Sequence, residues 1–207
     1  MLLALTLVGF GDNLVTDIHQ PSNSDPKFLV HGFFCLGWMV LLLLQAALIR
    51  SRNLRLHKRI GIAAVVFAVG VTCSTLFVFW AVWRDWSLMS PEVRANRILL
   101  PSFAACVLLG YLNRHRPDRH KRLMLVASFY MLGPVLSRCY DPLVAPLLEG
   151  LGEQWIERLF VPLFMAGWML FFLSLALHDT RSSGKVHPVT GWGFLWFGIV
   201  WAIALWS

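Results

Sequence analysis

Residues 28–49 read FLVHGFFCLGWMVLLLLQAALI, and residues 50–59, which follow directly, read RSRNLRLHKR. The first segment is almost entirely apolar, and its length is close to the roughly 20 residues that a helix needs to cross a hydrocarbon core. The second segment contains only basic charges. An apolar segment of this length that ends in a basic turn is typical of a membrane-spanning helix.

The composition of the whole chain agrees with this pattern. Of the 207 residues, 57% are hydrophobic and 14% are charged, whereas a soluble domain has about 25% charged residues. The net charge of +7 does not indicate a nucleic-acid partner, because a chain that faces lipid has no exposed basic groove. We therefore predict that the lipid bilayer surrounds the protein and that nucleic acid is not a partner.

The apolar segments predict an all-α integral membrane bundle that forms a single transmembrane domain over residues 1–207. Its six transmembrane helices are expected at about 28–49, 60–83, 98–112, 123–145, 159–177 and 190–206. A seventh apolar stretch, from Met1 to about Val15, is too short to cross. Residues 1–17 are therefore either a partial first helix or a signal-like segment.

The basic residues predict the orientation of these helices. Of the 18 Lys and Arg residues, 12 fall in the loops 50–59, 113–122 and 178–189, together with only two acidic residues. Loops that are rich in Lys and Arg remain in the cytoplasm. We therefore expect these three loops to be cytoplasmic and the C-terminus to lie outside.

The triplet His-Lys-Arg occurs twice, at 57–59 and at 120–122. Each copy follows a basic turn and comes just before an apolar segment. This repeat predicts that residues 28–83 and 98–145 are duplicated helical hairpins, and residues 159–206 then form a third hairpin.

The histidines at the basic ends of these hairpins have two interpretations. In the first, they and their basic neighbours hold the helix ends at the membrane surface. In the second, they bind zinc, iron, copper or a haem, because imidazole and carboxylate groups are ligands that these metals accept. The metal site would consist of His57, His120, Asp179 and His187. The chain has no HxxxH or HExxH spacing, which favours the first interpretation.

Polar side chains inside the apolar segments indicate a second candidate site. Charged groups at membrane depth are unfavourable, so they are default candidates for function. Tyr130, Pro134, Arg138 and Asp141 are spaced by four, four and three residues and predict a polar stripe on one helix. We expect a pocket, open to the outer side, for a small polar or anionic ligand, lined by His31, Arg97, Tyr130, Arg138 and Asp141. Alternatively, Arg138 pairs with Asp141 and His31 makes a buried hydrogen bond.

Four short motifs resemble a group of bacterial inner-membrane proteins. They are His-Gly at 31–32, Leu-His-Lys-Arg-Ile-Gly at 56–61, His-Lys-Arg-Leu-Met at 120–124, and His-Pro-Val-Thr at 187–190. The resemblance covers nearly the whole chain and implies a multi-pass protein of the bacterial inner membrane. It implies no activity, because the group has no established one.

Three functional hypotheses follow from these features. The leading one is a non-enzymatic membrane protein that binds a small ligand or cofactor within its helix bundle. The first alternative is a membrane redox protein with a metal or haem on the histidines of the cytoplasmic face. The second alternative is a small transporter or permease subunit, which the repeated hairpin and the prolines within spans favour.

Overall fold

The computed structural model describes residues 1–206, which form helices and short connections without a strand. The helices are α1 (Leu2–Gly9), α2 (Pro26–Arg50), α3 (Leu54–Ala81), α4 (Pro91–Leu112), α5 (Pro117–Tyr130), α6 (Leu132–Leu143), α7 (Ala145–Leu148), α8 (Glu153–Ser183) and α9 (Pro188–Trp206).

The helices confirm an all-helical fold with several segments that are long and apolar enough to cross a membrane. Among residues 1–206, five helices are long and apolar enough to cross a bilayer, namely α2, α3, α4, α8 and α9. The pair α5 and α6 is a sixth span only if its two parts, bent by 53°, are counted together. The described residues therefore contain five or six candidate spans, and the predicted number of six is the higher of these. Helix α1 extends over only about 12 Å at 1.5 Å per residue, which is too short to cross.

The first unit, Met1–Trp83, contains the hairpin of α2 and α3. Ser51, Arg52 and Asn53 join the two helices. Arg52 has a φ angle of 57°, a left-handed conformation that is uncommon for residues other than glycine. Asn53 caps α3, because its Oδ1 accepts a hydrogen bond from the Leu56 N–H at 3.1 Å.

Two phenylalanine rings pack on two glycines where α2 crosses α3. A Cβ atom on Gly70 would overlap the ring of Phe34, and one on Gly37 would overlap the ring of Phe67. The two rings contact each other edge to face, with centroids 5.6 Å apart. Glycine therefore lets these two helices approach closely, as small residues often do between membrane helices.

The second unit, Arg84–Ser207, contains α4 to α9. Helix α4 packs against α5 and α9, while α8 packs against α5, α6 and α9. Its interior is aromatic, and its largest fully buried side chains are Trp168, Trp201, Tyr130, Phe103, Phe172 and Phe197.

The span predicted over residues 123–145 is not one continuous helix. Helix α5 ends at Tyr130, α6 starts at Leu132, and the two are bent by 53°. Pro134 explains the break, because it lacks the N–H that the Tyr130 carbonyl would accept and its ring clashes with that carbonyl. Trp168 of α8 stabilises the break, since its Nε1–H donates to the Phe129 carbonyl at 2.7 Å.

The bend also corrects the predicted polar stripe. That prediction assumed a straight helix from Tyr130 to Asp141. In the structure, Tyr130 is the last residue of α5, whereas Arg138 and Asp141 belong to α6. The four-residue spacing therefore does not align them on one face.

Candidate functional site

A buried ion pair joins α5 and α8 in the second unit, within the basic loops at 113–122 and 178–189. Helix α5 begins at Pro117, a residue suited to the first helical turn, and this start places Arg122 one turn into the helix. Helix α8 continues beyond residue 177, where the sequence predicted its end, to Ser183. Asp179 therefore lies inside this helix. Gly184, in the left-handed conformation with φ 73°, ends it.

The Asp179 carboxylate is fully enclosed by hydrogen-bond donors. Its Oδ1 accepts from Arg122 Nη2 at 2.6 Å and from Arg122 Nε at 2.8 Å. Its Oδ2 accepts from the Thr190 hydroxyl at 2.6 Å and from the His187 backbone N–H at 3.2 Å. Asp179 has no exposed surface and Arg122 is only 4% exposed. This group of contacts therefore ties α5, α8 and the start of α9 together.

His187 caps α9 next to this ion pair. Its Nδ1 accepts a hydrogen bond from the Val189 N–H at 3.1 Å, which requires that this nitrogen carries no proton. Burial, and after it the positive charge of Arg122, lowers the pKa of the His187 imidazole below its ordinary value. The residue lies between α8 and α9, outside the candidate spans.

The predicted metal ligands have other partners in the structure. Asp179 accepts from Arg122 and Thr190, and the Nδ1–H of His120 donates to the Gly110 carbonyl at 2.9 Å. His57 lies in the first unit, whereas the other predicted ligands belong to the second. Among residues 1–206, no group of three or more His, Cys, Asp or Glu side chains is placed to hold a metal ion. His120, Asp179 and His187 of the second unit are therefore not placed together as a metal site, and the part of the site that includes His57 stays a prediction.

His31, from the predicted ligand pocket, takes part in a chain of hydrogen bonds in the first unit. The Ser74 hydroxyl donates to the Val71 carbonyl at 3.2 Å, so the Nδ1–H of His31 is left to donate to Ser74 Oγ, also at 3.2 Å. The Cys35 sulfur lies 3.5 Å from His31 Nε2. His31 thus links α2 to α3.

The other four residues of the predicted pocket belong to the second unit and differ in exposure. Tyr130 is buried, and its hydroxyl donates to the Gly193 carbonyl of α9 at 2.8 Å. Arg97 of α4 and Arg138 of α6 are half-buried, whereas Asp141 is exposed. The bend thus separates the Tyr130 side chain, which packs in the core, from the two charged residues on α6.

Asn96 marks a polar position near the bend that the sequence did not reveal. A Cβ atom on Gly133 would overlap Asn96 Oδ1 and lie 2.9 Å from the ring of Trp168, so this position requires glycine. Asn96 Oδ1 is buried and accepts no hydrogen bond within residues 1–206. A buried acceptor in this state is unfavourable by about 1–3 kcal/mol. A bound molecule with a donor group would remove that cost.

Sequence analysis did not predict the ion pair between Arg122 and Asp179 or the polar position at Asn96. The sequence contains only weak signals for them. Asp179 is one of only two acidic residues in the three basic loops, which marks it as a partner for a cation. Arg122 gave no comparable signal, since Arg59 occupies the same place in the other His-Lys-Arg triplet. Asn96 lies among the polar residues that precede the predicted span at 98–112, and only its contact with Gly133 beside the bend gives it significance.

Comparisons with protein-family models, with curated proteins and with solved structures find no match for this chain. The resemblance to bacterial inner-membrane proteins therefore depends on the four short motifs.

Proposed function

We propose that the chain is a multi-pass protein of the bacterial inner membrane, with its basic loops in the cytoplasm. We further propose that it binds a small polar or anionic molecule within the second unit, beside the bend between α5 and α6. The observation that supports binding is the buried Asn96 Oδ1, which accepts no hydrogen bond among residues 1–206.

The surroundings of Asn96 support a ligand that has both a hydrogen-bond donor and an anionic group. The free oxygen needs a donor, such as a hydroxyl or an N–H group. Arg97, the next residue of α4, is half-buried and carries a guanidinium, which is suited to carboxylate or phosphate. Asn96 lies about 8 Å along α4 from its start at Pro91, by the rise of 1.5 Å per residue. A small acid with a hydroxyl group fits both requirements.

The binding test uses purified full-length chain in detergent and three probes: glycolate, acetate and inorganic phosphate. Glycolate has both the hydroxyl and the carboxylate, whereas acetate has the carboxylate alone. We expect glycolate to raise the thermal unfolding midpoint more than acetate does, because a ligand that binds the folded state stabilises it. Sodium chloride at equal ionic strength is the control for salt effects.

Two variants connect the effect to the site. Asn96→Ala should remove the advantage of glycolate over acetate, while Arg97→Gln should weaken both. Arg84→Gln, which removes an exposed arginine of the same unit, is the matched control and should respond as the natural chain does. If none of the three probes raises the midpoint beyond the salt control, the proposal is wrong.

Transport of such a molecule is a second candidate function, and the broken span favours it. Discontinuous helices line the substrate sites of many transporters, and α4 and α8 also contain internal prolines, Pro101 and Pro162. Flux of radiolabelled glycolate into liposomes that contain the chain would support transport. Binding without flux would support the first proposal alone.

A further inference from the structure

The turn between α2 and α3 contains a cluster of cations that the first unit does not neutralise. We define the basic turn as Arg50, Arg52, Arg55, Lys58 and Arg59, all of which have exposed side chains. No acidic residue occurs between residues 26 and 83. None of the five cations forms an ion pair with a residue of the first unit, residues 1–83. The basic turn therefore has no internal counter-charge.

Helix geometry makes this arrangement unfavourable for the isolated chain. Arg55, Lys58 and Arg59 are spaced by three and four residues, so they share one face of α3 and repel one another. They also lie in the first turns of α3, where the helix dipole disfavours positive charge and where no acidic residue compensates. A bound anion would relieve both effects.

The backbone of the turn adds a third unfavourable feature. Arg52 has φ 57°, a conformation that glycine or asparagine adopts at lower energy. The backbone conformation of the turn therefore does not explain why residue 52 is an arginine. Its side chain adds one more exposed cation to the cluster.

The corresponding turn of the second unit has counter-charges of its own. Asp118 Oδ1 lies 3.5 Å from Lys121 Nζ and 3.7 Å from Arg122 Nη1. Arg122 pairs with buried Asp179, and the Arg114 guanidinium lies 4.5 Å from the centre of the Tyr111 ring. Asp118 and Asp179 thus neutralise part of the charge at that turn, whereas the basic turn has no acidic partner in the first unit.

We propose that the basic turn binds the phosphate groups of anionic phospholipids. The turn joins the ends of two helices that are apolar enough to cross a bilayer, so it lies at the level of the lipid headgroups. Arginine forks bind phosphate oxygens in pairs, and clusters of Lys and Arg directly beside a membrane helix attract anionic lipid. The phospholipid supplies the charge that the hairpin lacks.

The test compares two variants with the same change in charge. One is R50Q/R55Q/R59Q in the basic turn, and the matched control is R114Q/R116Q/R119Q, which removes three exposed arginines from the corresponding turn. Each full-length chain is purified in detergent with mixed phosphatidylglycerol and phosphatidylcholine, and native mass spectrometry counts the lipids retained. A third variant, R50K/R55K/R59K, keeps the charge.

We expect the first variant to retain on the order of tenfold less phosphatidylglycerol, because each basic residue at the surface contributes to anionic lipid binding. Retention of phosphatidylcholine should stay unchanged. The control should lose less than about twofold, and the lysine variant should retain most of the lipid. Raising the salt concentration should weaken retention in the natural chain.

Three outcomes would overturn the proposal. An equal loss in both glutamine variants would mean that net charge alone governs retention. Unchanged retention in R50Q/R55Q/R59Q would leave the cations as a signal for helix orientation only. Displacement of the lipid by millimolar inorganic phosphate or by a short RNA would assign the turn to a soluble anion or to nucleic acid instead.

Discussion

The triplet His-Lys-Arg occurs near the start of two helices, but its arginine has different surroundings in each. In α5, Arg122 is 4% exposed and pairs with Asp179 at 2.6 Å. In α3, Arg59 is exposed and has no ion-pair partner within the first unit, residues 1–83. The arginine of the same triplet is thus buried in the second unit and exposed in the first.

The role of a charge at these helix ends therefore depends on the partner available to it and not on its position in the triplet. The third hairpin supplies Asp179, Thr190 and the His187 N–H to the second unit, and these groups make burial of Arg122 favourable. The first unit has no comparable hairpin. Its α2 and α3 are held by rings on glycines, Phe34 on Gly70 and Phe67 on Gly37.

The strongest test of this comparison replaces each arginine in turn. Arg122→Ala leaves the Asp179 charge buried without its cation, and we expect the free energy of unfolding to fall by about 3–5 kcal/mol. Arg59→Ala removes an exposed cation and should change it by less than about 0.5 kcal/mol. Unfolding of the purified chain by sodium dodecyl sulfate in mixed micelles measures both.

A double variant separates the ion pair from general loss of packing. If the pair acts as a unit, Arg122→Ala combined with Asp179→Ala should destabilise the chain by less than the sum of the single changes. Additive losses, or an equal loss from Arg59→Ala, would contradict the distinction between the two triplets.

A second prediction addresses how the first unit is held together. Gly70→Ala puts a Cβ atom into the ring of Phe34, and forced overlap in a packed region costs about 1–3 kcal/mol. Gly32→Ala is the matched control on α2, because a Cβ atom there meets nothing within 4 Å. The same unfolding measurement compares them. Equal stability of the two variants would mean that the close approach of α2 and α3 contributes little.

The amino-acid pattern predicts the fold class better than it predicts the sites. Long apolar segments indicated α2, α3, α4, α8 and α9, because crossing a bilayer requires about 20 such residues. Helix α4 nevertheless begins at Pro91, before the predicted residue 98, and α8 extends beyond its predicted bounds at both ends. The prolines within the spans indicated that a helix could bend or break, but not that the break lies at Met131. Pro134 was noted, but whether a proline bends, breaks or only kinks a span depends on neighbours such as Trp168, which come from distant parts of the chain.

The site residues were harder to predict because each depends on contacts between helices. The spacing of Tyr130, Arg138 and Asp141 suggested one face, and a single bend removed it. Asp179 was predicted as a metal ligand in a basic loop, whereas the structure buries it in α8 and pairs it with Arg122. A sequence indicates which groups are unusual, whereas packing decides which of them meet.

The third prediction concerns the pH dependence of the second unit and has the smallest expected effect. His187 caps α9 through an unprotonated Nδ1, and its pKa is lowered by burial and by Arg122. Asp179 and Asp118 act in the opposite direction. Because the unfolded chain binds the proton more readily, stability is constant above the ordinary pKa of 6.5 and falls as the pH decreases below it.

The corresponding variant is His187→Asn, which keeps an acceptor at the cap but does not titrate. Its unfolding midpoint should fall less between pH 7.5 and pH 5.5 than that of the natural chain, whereas His187→Ala should lose about 0.5–2 kcal/mol at both pH values. His115→Asn, which changes an exposed histidine before α5, is the control and should keep the natural profile. At the basic turn of the first unit, Asn53 and not a histidine caps α3, and no buried acidic residue of that unit lies beside it. If His187→Asn leaves the pH profile unchanged, the acid sensitivity does not come from the His187 cap beside the Arg122–Asp179 pair.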